Sequence, residues 1–160
     1  MPQKRLLGIL PIPDYHQNNL FVWISMKKKY LLDSNICIYF LRGRKGIDSM
    51  IQKVGWENCY ISQMTLAELL YGAECSKNIE RNKKEVYSFC HDIKMLSIDN
   101  VIEEYARQKA ILRMNGTPID DMDIFIGCTA VVNGCVMVTE NVKHLNKLEN
   151  ITIENWVDNI

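Results

Sequence analysis

"LLDSNICIYFL", residues 31–41, sets one aspartate between an apolar run and a segment with helical spacing. Leu31 and Leu32 read as the end of a short buried strand, and Ser34 and Asn35 are residue types that begin helices. Asp33 therefore falls where the chain turns from strand to helix. A strand that passes straight into a helix is the first half of a β-α-β unit, so this stretch points to an α/β fold with a parallel sheet.

The same alternation continues along the chain. Candidate strands are Tyr30 to Leu32, Cys59 to Ile61, Met95 to Ile98, Val136 to Thr139 and Ile151 to Ile153; helices are expected to begin near Asn35, Thr65, Ile79, Val101, Asp123 and Asn141. The clearest helical pattern is "VIEEYARQKAILRMNG", residues 101–116, with Val101, Ile102, Tyr105, Ala106, Ile111 and Met114 as its apolar face and Gly116 as its stop. Residues 1–26 stand apart: "PIPDYHQNN" holds turn and coil formers, and the apolar pieces around it have no sustained period. They are expected to be an appendage, with the domain spanning 27–160 and Met26 as a natural beginning for it.

Composition narrows the function. The chain has 160 residues, 48% of them hydrophobic, which suits one domain with a buried core. Nineteen basic and nineteen acidic side chains cancel, so no global positive field attracts nucleic acid. A polyanion would have to be held by local patches or metal ions. The six cysteines, at 37, 59, 75, 90, 128 and 135, form no C-x-x-C pair and fall mostly in apolar or helical stretches. They read as reduced core thiols, and with no recognisable secretory signal they point to the cytoplasm. "LLGILPIPD" is broken by prolines and "LFVWIS" is too short to span a bilayer, so no membrane segment is expected.

Acids gather at strand ends and helix starts. Asp33 has an ordinary explanation as a helix cap. Thr65 and Glu68 match the S/T-x-x-E capping box, which would leave Glu68 without chemistry. In "GTPIDDMDIFIGCTA", residues 116–130, Asp120, Asp121 and Asp123 crowd together although one cap suffices. Asp123, inside the helix, is expected to turn inward. Thr139, Glu140 and Asn141 are all able to cap the helix after the fourth strand. In an open parallel sheet, however, ligands sit beyond the C-terminal strand ends where the strand order reverses. Asp33 and Thr139 would both stand there, with Glu68 and Asp123 on bordering helices. Clustered carboxylates repel unless they share a cation.

"LLDSNICIYFLRG" (31–43), "ISQMTLAELLYGAECS" (61–76), "GTPIDDMDIFIGCTAVVNGCVMVTENVKHL" (116–145) and "ITIENW" (151–156) resemble, in order and spacing, the PIN-domain ribonucleases, and most closely the VapC toxins of bacterial toxin-antitoxin pairs. The resemblance runs from Lys29 to Trp156. It implies a three-layer α/β/α fold with a mostly parallel sheet in the order 3-2-1-4-5. It also implies Asp33, Glu68 and Asp123 as catalytic, metal-binding acids for Mg2+ or Mn2+, supported by Thr139, Asn35, Asn141 and Asp121. One departure stands out: many members carry a fourth acid shortly after the strand-4 threonine, where this chain has Asn141, Lys143 and His144, with Glu140 one place off.

The activity so implied is hydrolysis of RNA by an activated water, giving 5'-phosphate and 3'-hydroxyl ends. Arg42, Arg44 and Lys45 after the first helix, and Lys77, Arg81, Lys83 and Lys84 after the second, are candidate phosphate contacts. The resemblance further implies a homodimer and a cognate antitoxin that blocks the site, with Tyr39, Phe40, Leu69, Leu70 and Tyr71 as candidate apolar contacts. A non-catalytic PIN-like binding module and a housekeeping RNA-processing nuclease are the competing expectations. A phosphatase on another doubly wound fold is disfavoured, because Asn35 stands where a D-x-D motif needs its second acid.

Overall fold

The computed structural model describes residues 27–157. The expected N-terminal appendage, residues 1–26 including Met26, and the last residues, 158–160, lie outside the described part. Within it the chain runs β1 (Lys29–Leu32), α1 (Ser34–Leu41), α2 (Ile47–Val54), a 3-10 turn (Trp56–Asn58), β2 (Cys59–Ser62), α3 (Gln63–Glu74), α4 (Ile79–Asp92), β3 (Lys94–Leu96), α5 (Ile102–Met114), α6 (Asp121–Val132), β4 (Cys135–Val138), α7 (Val142–Leu145) and β5 (Ile153–Glu154).

The five strands form one sheet in the order β3-β2-β1-β4-β5, and every pairing is parallel. Strand side chains alternate between faces, and the core divides accordingly. Leu32, Ile61, Val136 and Val138 pack with Ile36, Cys37, Ile51, Leu69, Val86 and Phe89 from α1 to α4. Leu31 and Met137 pack on the other face with Leu112, Ile124, Ile126 and Leu145 from α5 to α7. Three layers result, as the resemblance implies. Cys37, Cys59, Cys128 and Cys135 are buried free thiols; Cys75 is exposed.

Two sequence expectations need correction. No helix was expected over residues 47–54, yet α2 stands there, because Gly43, Lys45 and Gly46 take positive φ and the turn hides the short helix behind them. The expected apolar face of α5 is only partly the buried one: Val101 is buried and Tyr105 and Ile111 are half-buried, but Ile102 is 53% and Met114 77% exposed, and Gln108 and Leu112, outside that expected face, are buried. Gln108 tolerates burial because its amide is satisfied. Nε2 donates to Glu104 Oε1 (2.8 Å) and to the Glu149 carbonyl (3.1 Å), and Oε1 accepts from the Glu149 N–H (3.1 Å).

The register of β1 against β4 places the site. Leu31 pairs with Met137 and Leu32 with Val138, so the next residues, Asp33 and Thr139, come side by side beyond the strand ends. The Asp33 N–H continues the ladder to the Val138 carbonyl at 2.9 Å. Because β2 lies on one side of β1 and β4 on the other, this is the point where strand order reverses.

Candidate active site

Asp33 is 4% exposed and caps α1, accepting from the Ser34 N–H at 2.8 Å. Its second oxygen accepts from Thr139 Oγ1 at 2.6 Å, and Thr139 is fully buried. Capping and convergence are therefore both true of Asp33. Thr139 Oγ1 in turn accepts from the Asn141 N–H (2.9 Å), and Asn141 Nδ2 donates to Asp123 Oδ2 (2.9 Å). One turn after β4 thus holds two acids that are 90 positions apart in the chain.

The other acids sort by local structure. Asp120 caps α6, accepting from the Met122 N–H at 2.9 Å. Asp121, expected as a supporting residue, points elsewhere: its carboxylate lies 2.6 Å from Lys109 Nζ on α5. Asp123 is half-buried and faces inward, with His144 Nδ1 3.8 Å from its Oδ2. The capping-box reading of Thr65 and Glu68 is also corrected. The α3 cap is Ser62, whose hydroxyl accepts from the Thr65 N–H at 2.9 Å, so Thr65 lies inside the helix and Glu68 is free of that duty. Glu68 is half-buried on α3, which touches α6, and the Ser34 hydroxyl faces its carboxylate. Asn35 Oδ1 is buried and has no hydrogen-bond partner among the described residues.

The electrostatics show the repulsion expected of clustered acids. Burial pushes the Asp33 carboxyl above its ordinary range; the Thr139 and Ser34 bonds pull it back in part, and Asp123 pushes it up again. Glu68 is raised first by burial and then by Asp33, Asp123 and Asp120, with Ser34 acting against them. Asp123 is raised by burial and by Asp120, while His144 and Asn141 lower it. Among the described residues no three acid, histidine or cysteine side chains stand close enough to hold a metal ion directly between them. The donor set is nevertheless all oxygen and mutually repelling, the chemistry that suits a hard cation keeping part of its water shell.

The expected basic wall is misplaced. Arg42 and Arg44 line a depression of about 730 Å³ with Phe40, Trp56, Phe89 and Asp92. Trp56 precedes β2 and Asp92 precedes β3, so this depression lies at the strand-start edge, opposite Asp33. The reason is topological: α1 runs back along β1 and delivers Arg42, Arg44 and Lys45 to the far end. Of the second group, Arg81 pairs with Glu85 (3.0 Å) and Lys83 with Glu74 (2.7 Å). Among the candidate apolar contacts, Leu69 is buried, Phe40 packs against Trp56 and Phe89 at 5.5 and 5.6 Å, and Tyr71 is 73% exposed.

Sequence reasoning missed the roles of Ser34, Ser62 and Tyr39. The Tyr39 hydroxyl donates to Glu140 Oε2 at 2.7 Å. Cross-element pairs of this kind carry no spacing signal; Ser62, at the end of an apolar run, was the one readable from cap preference alone.

Comparison with known proteins agrees with the geometry. Residues 30–149 match the PIN domain family. The tRNA(fMet)-specific endonuclease VapC of Salmonella typhimurium is 33% identical over 129 residues, covering 80% of this chain and 98% of that protein. The crystal structure of DNA-bound VapBC from Salmonella typhimurium aligns with a TM-score of 0.75 at 32% identity, over 81% of this chain and 98% of that one. VapBC2 of Rickettsia felis, bound to a DNA fragment from its promoter, aligns with a TM-score of 0.74 at 27% identity, over 79% and 98%. With its strand-end acids at the β1/β4 reversal and these relatives over most of its length, the chain belongs to the PIN-domain family, among the VapC ribonucleases.

Proposed function

We propose that this chain is an Mg2+-dependent endoribonuclease, with Mn2+ able to substitute, and the toxin of a cytoplasmic toxin-antitoxin pair. The observation that supports the reading is the turn after β4, where Thr139 donates to Asp33 and Asn141 donates to Asp123, with Glu68 near enough for both charges to raise its carboxyl. The ribonuclease names of the relatives support the reaction class, and their VapBC complexes support an antitoxin partner.

Asp33 and Asp123, joined by Glu68, are the residues that would hold the cation. When bound, Mg2+ supplies an acidified water and screens the charge that grows on the phosphoryl oxygens. Thr139 and Ser34 fix the orientation of Asp33, and Asn141 fixes that of Asp123, so neither acid reorganises as the reaction proceeds. Glu68, half-buried on α3 beside these acids, is the residue we assign to accept a proton from the attacking water. Water attack in line on the phosphodiester leaves a 5'-phosphate on one fragment and a 3'-hydroxyl on the other.

The partner surface is a separate matter. The arginine-lined depression, with Phe40, Trp56 and Phe89 beneath it, offers an antitoxin both apolar and cationic contacts. A homodimer is proposed on the family resemblance.

The decisive experiment incubates the full chain with single-stranded and folded RNA, with Mg2+ or with a chelator, beside the Asp33→Asn variant. Cation-dependent cleavage to 5'-phosphate ends, lost in a folded Asp33→Asn protein, is expected. Cyclic 2',3'-phosphate ends, or full activity of that variant, would overturn the reading. Growth arrest on expression, relieved by the neighbouring gene's product, tests the toxin role.

A further inference from the structure

Thr139, Glu140 and Asn141 are consecutive residues, and each reaches a different element. Thr139 Oγ1 donates to Asp33 at the end of β1. Asn141 Nδ2 donates to Asp123 in α6. Glu140 Oε2 accepts from the Tyr39 hydroxyl of α1 at 2.7 Å, across 101 positions. The turn is followed by α7, a helix of only four residues, Val142–Leu145, which starts without a side-chain cap. The Asn141 N–H to Thr139 Oγ1 bond restrains the turn locally at 2.9 Å, and so short a helix adds little to it.

Glu140 is exposed, so water would satisfy its carboxylate without any help from α1. Bonding it to Tyr39 instead restrains the backbone between the two residues that orient the acids. The bond also raises the phenol above its ordinary pKa.

We propose that Tyr39 is a positioning residue for the acidic site: by holding Glu140 it fixes the 139–141 turn and, through it, the relative placement of Asp33 and Asp123. The proposal rests on the reading of this crevice as the site of RNA cleavage.

The test compares full-length wild type with Tyr39→Phe, Glu140→Ala and Glu140→Gln. Three quantities are measured: initial rates on a short single-stranded RNA, Mn2+ binding by electron paramagnetic resonance without RNA, and thermal melting. Tyr39→Phe and Glu140→Ala are each expected to lower kcat about five- to tenfold, leave KM for RNA within about twofold, and weaken Mn2+ binding about threefold. Glu140→Gln keeps an acceptor for the phenol and is expected to retain most of the rate. Tyr39→Phe combined with Glu140→Ala should be no worse than either alone, since both remove one bond.

A folded Tyr39→Phe protein that binds Mn2+ and cleaves like wild type, with only its melting point lowered, overturns the inference while leaving the nuclease reading intact. If Tyr39→Phe does not fold, the Glu140 pair decides: equal rates for Glu140→Gln and Glu140→Ala overturn it, and a higher rate for Glu140→Gln supports it. A wild type that neither cleaves RNA nor binds Mn2+ overturns both readings together.

Discussion

Thr139 Oγ1 stands 2.6 Å from Asp33 Oδ2, although 106 positions separate the two residues and both are buried. The β1/β4 register produces this pair, and the pair anchors the rest of the site. A buried carboxylate with two donors among the described residues is sensitive to the loss of either.

Thr139→Val keeps the side-chain shape and removes the donor. Asp33 is then left with the Ser34 N–H, and Asn141 loses the acceptor for its own N–H. Stability at pH 7 is expected to fall by about 1–3 kcal/mol, the range for a buried polar group left unsatisfied. Urea unfolding measures that loss, and RNA cleavage should fall at least about tenfold as Asp33 loses its orientation. Unchanged stability and rate together would remove Thr139 from the site.

Asp33→Asn should behave in the opposite way in the absence of a cation. The folded-state pKa of Asp33 is raised, chiefly by burial. The folded protein therefore holds its proton more tightly than the unfolded chain does, and stability is greatest below the ordinary carboxylate pKa. As pH rises through the raised folded value, that stability is lost. At pH 7 with a chelator present, Asp33→Asn should thus melt higher than wild type, and the gap should close toward acid pH. Adding Mg2+ should raise the melting point of wild type but not of the variant. A variant that melts lower than wild type at pH 7 and equally at acid pH contradicts the assigned sign.

The sheet was legible in the sequence because parallel strands announce themselves as short apolar runs, and "LLDSN" and "CVMVTEN" both break at a polar residue. Asp123 was legible because only one of three neighbouring aspartates could cap α6. What sequence could not give was direction across elements. Arg42 and Arg44, just after α1, were expected at the acids and lie at the opposite edge, since a helix following a strand carries the residues after it away from the site. The burial of Gln108 carried no sequence signal, because the Glu149 backbone groups that satisfy its amide lie 41 positions away. Glu68 was ambiguous because its capping spacing from Thr65 is real, but Ser62 caps first.

Asn141→Asp tests the missing fourth acid. The Asn141 side chain donates to Asp123 at 2.9 Å, and an aspartate there replaces that donor with a like charge. Without a cation the variant should be less stable, by about 1–2 kcal/mol, as two carboxylates come to share the space of one hydrogen bond. The same charge should tighten Mn2+ binding, so the melting shift on adding Mn2+ should exceed that of wild type. Calorimetric titration and melting curves check both halves. A variant that binds Mn2+ no better than wild type would show that residue 141 does not face the cation.

Arg42→Glu with Arg44→Glu separates the two edges of the sheet. Both side chains line the depression beside Trp56 and Asp92, where β2 and β3 begin, whereas Asp33 and Thr139 lie past the strand ends. Neither arginine makes an ion pair or side-chain hydrogen bond among the described residues and both are exposed, so the change breaks no such bond and should leave folding stability within about 0.5 kcal/mol. Cleavage of a short single-stranded RNA, small enough to occupy only the acidic crevice, should stay within about twofold of wild type at moderate salt, where charges beyond a Debye length are screened. Binding of the neighbouring gene's product should weaken by at least about tenfold if the depression is its docking surface, because two favourable charges become repulsive there. Rate measurements and surface binding on the same preparation check the pair of outcomes. A large loss of cleavage with partner binding preserved would return these arginines to the RNA path and overturn the division of labour between the edges.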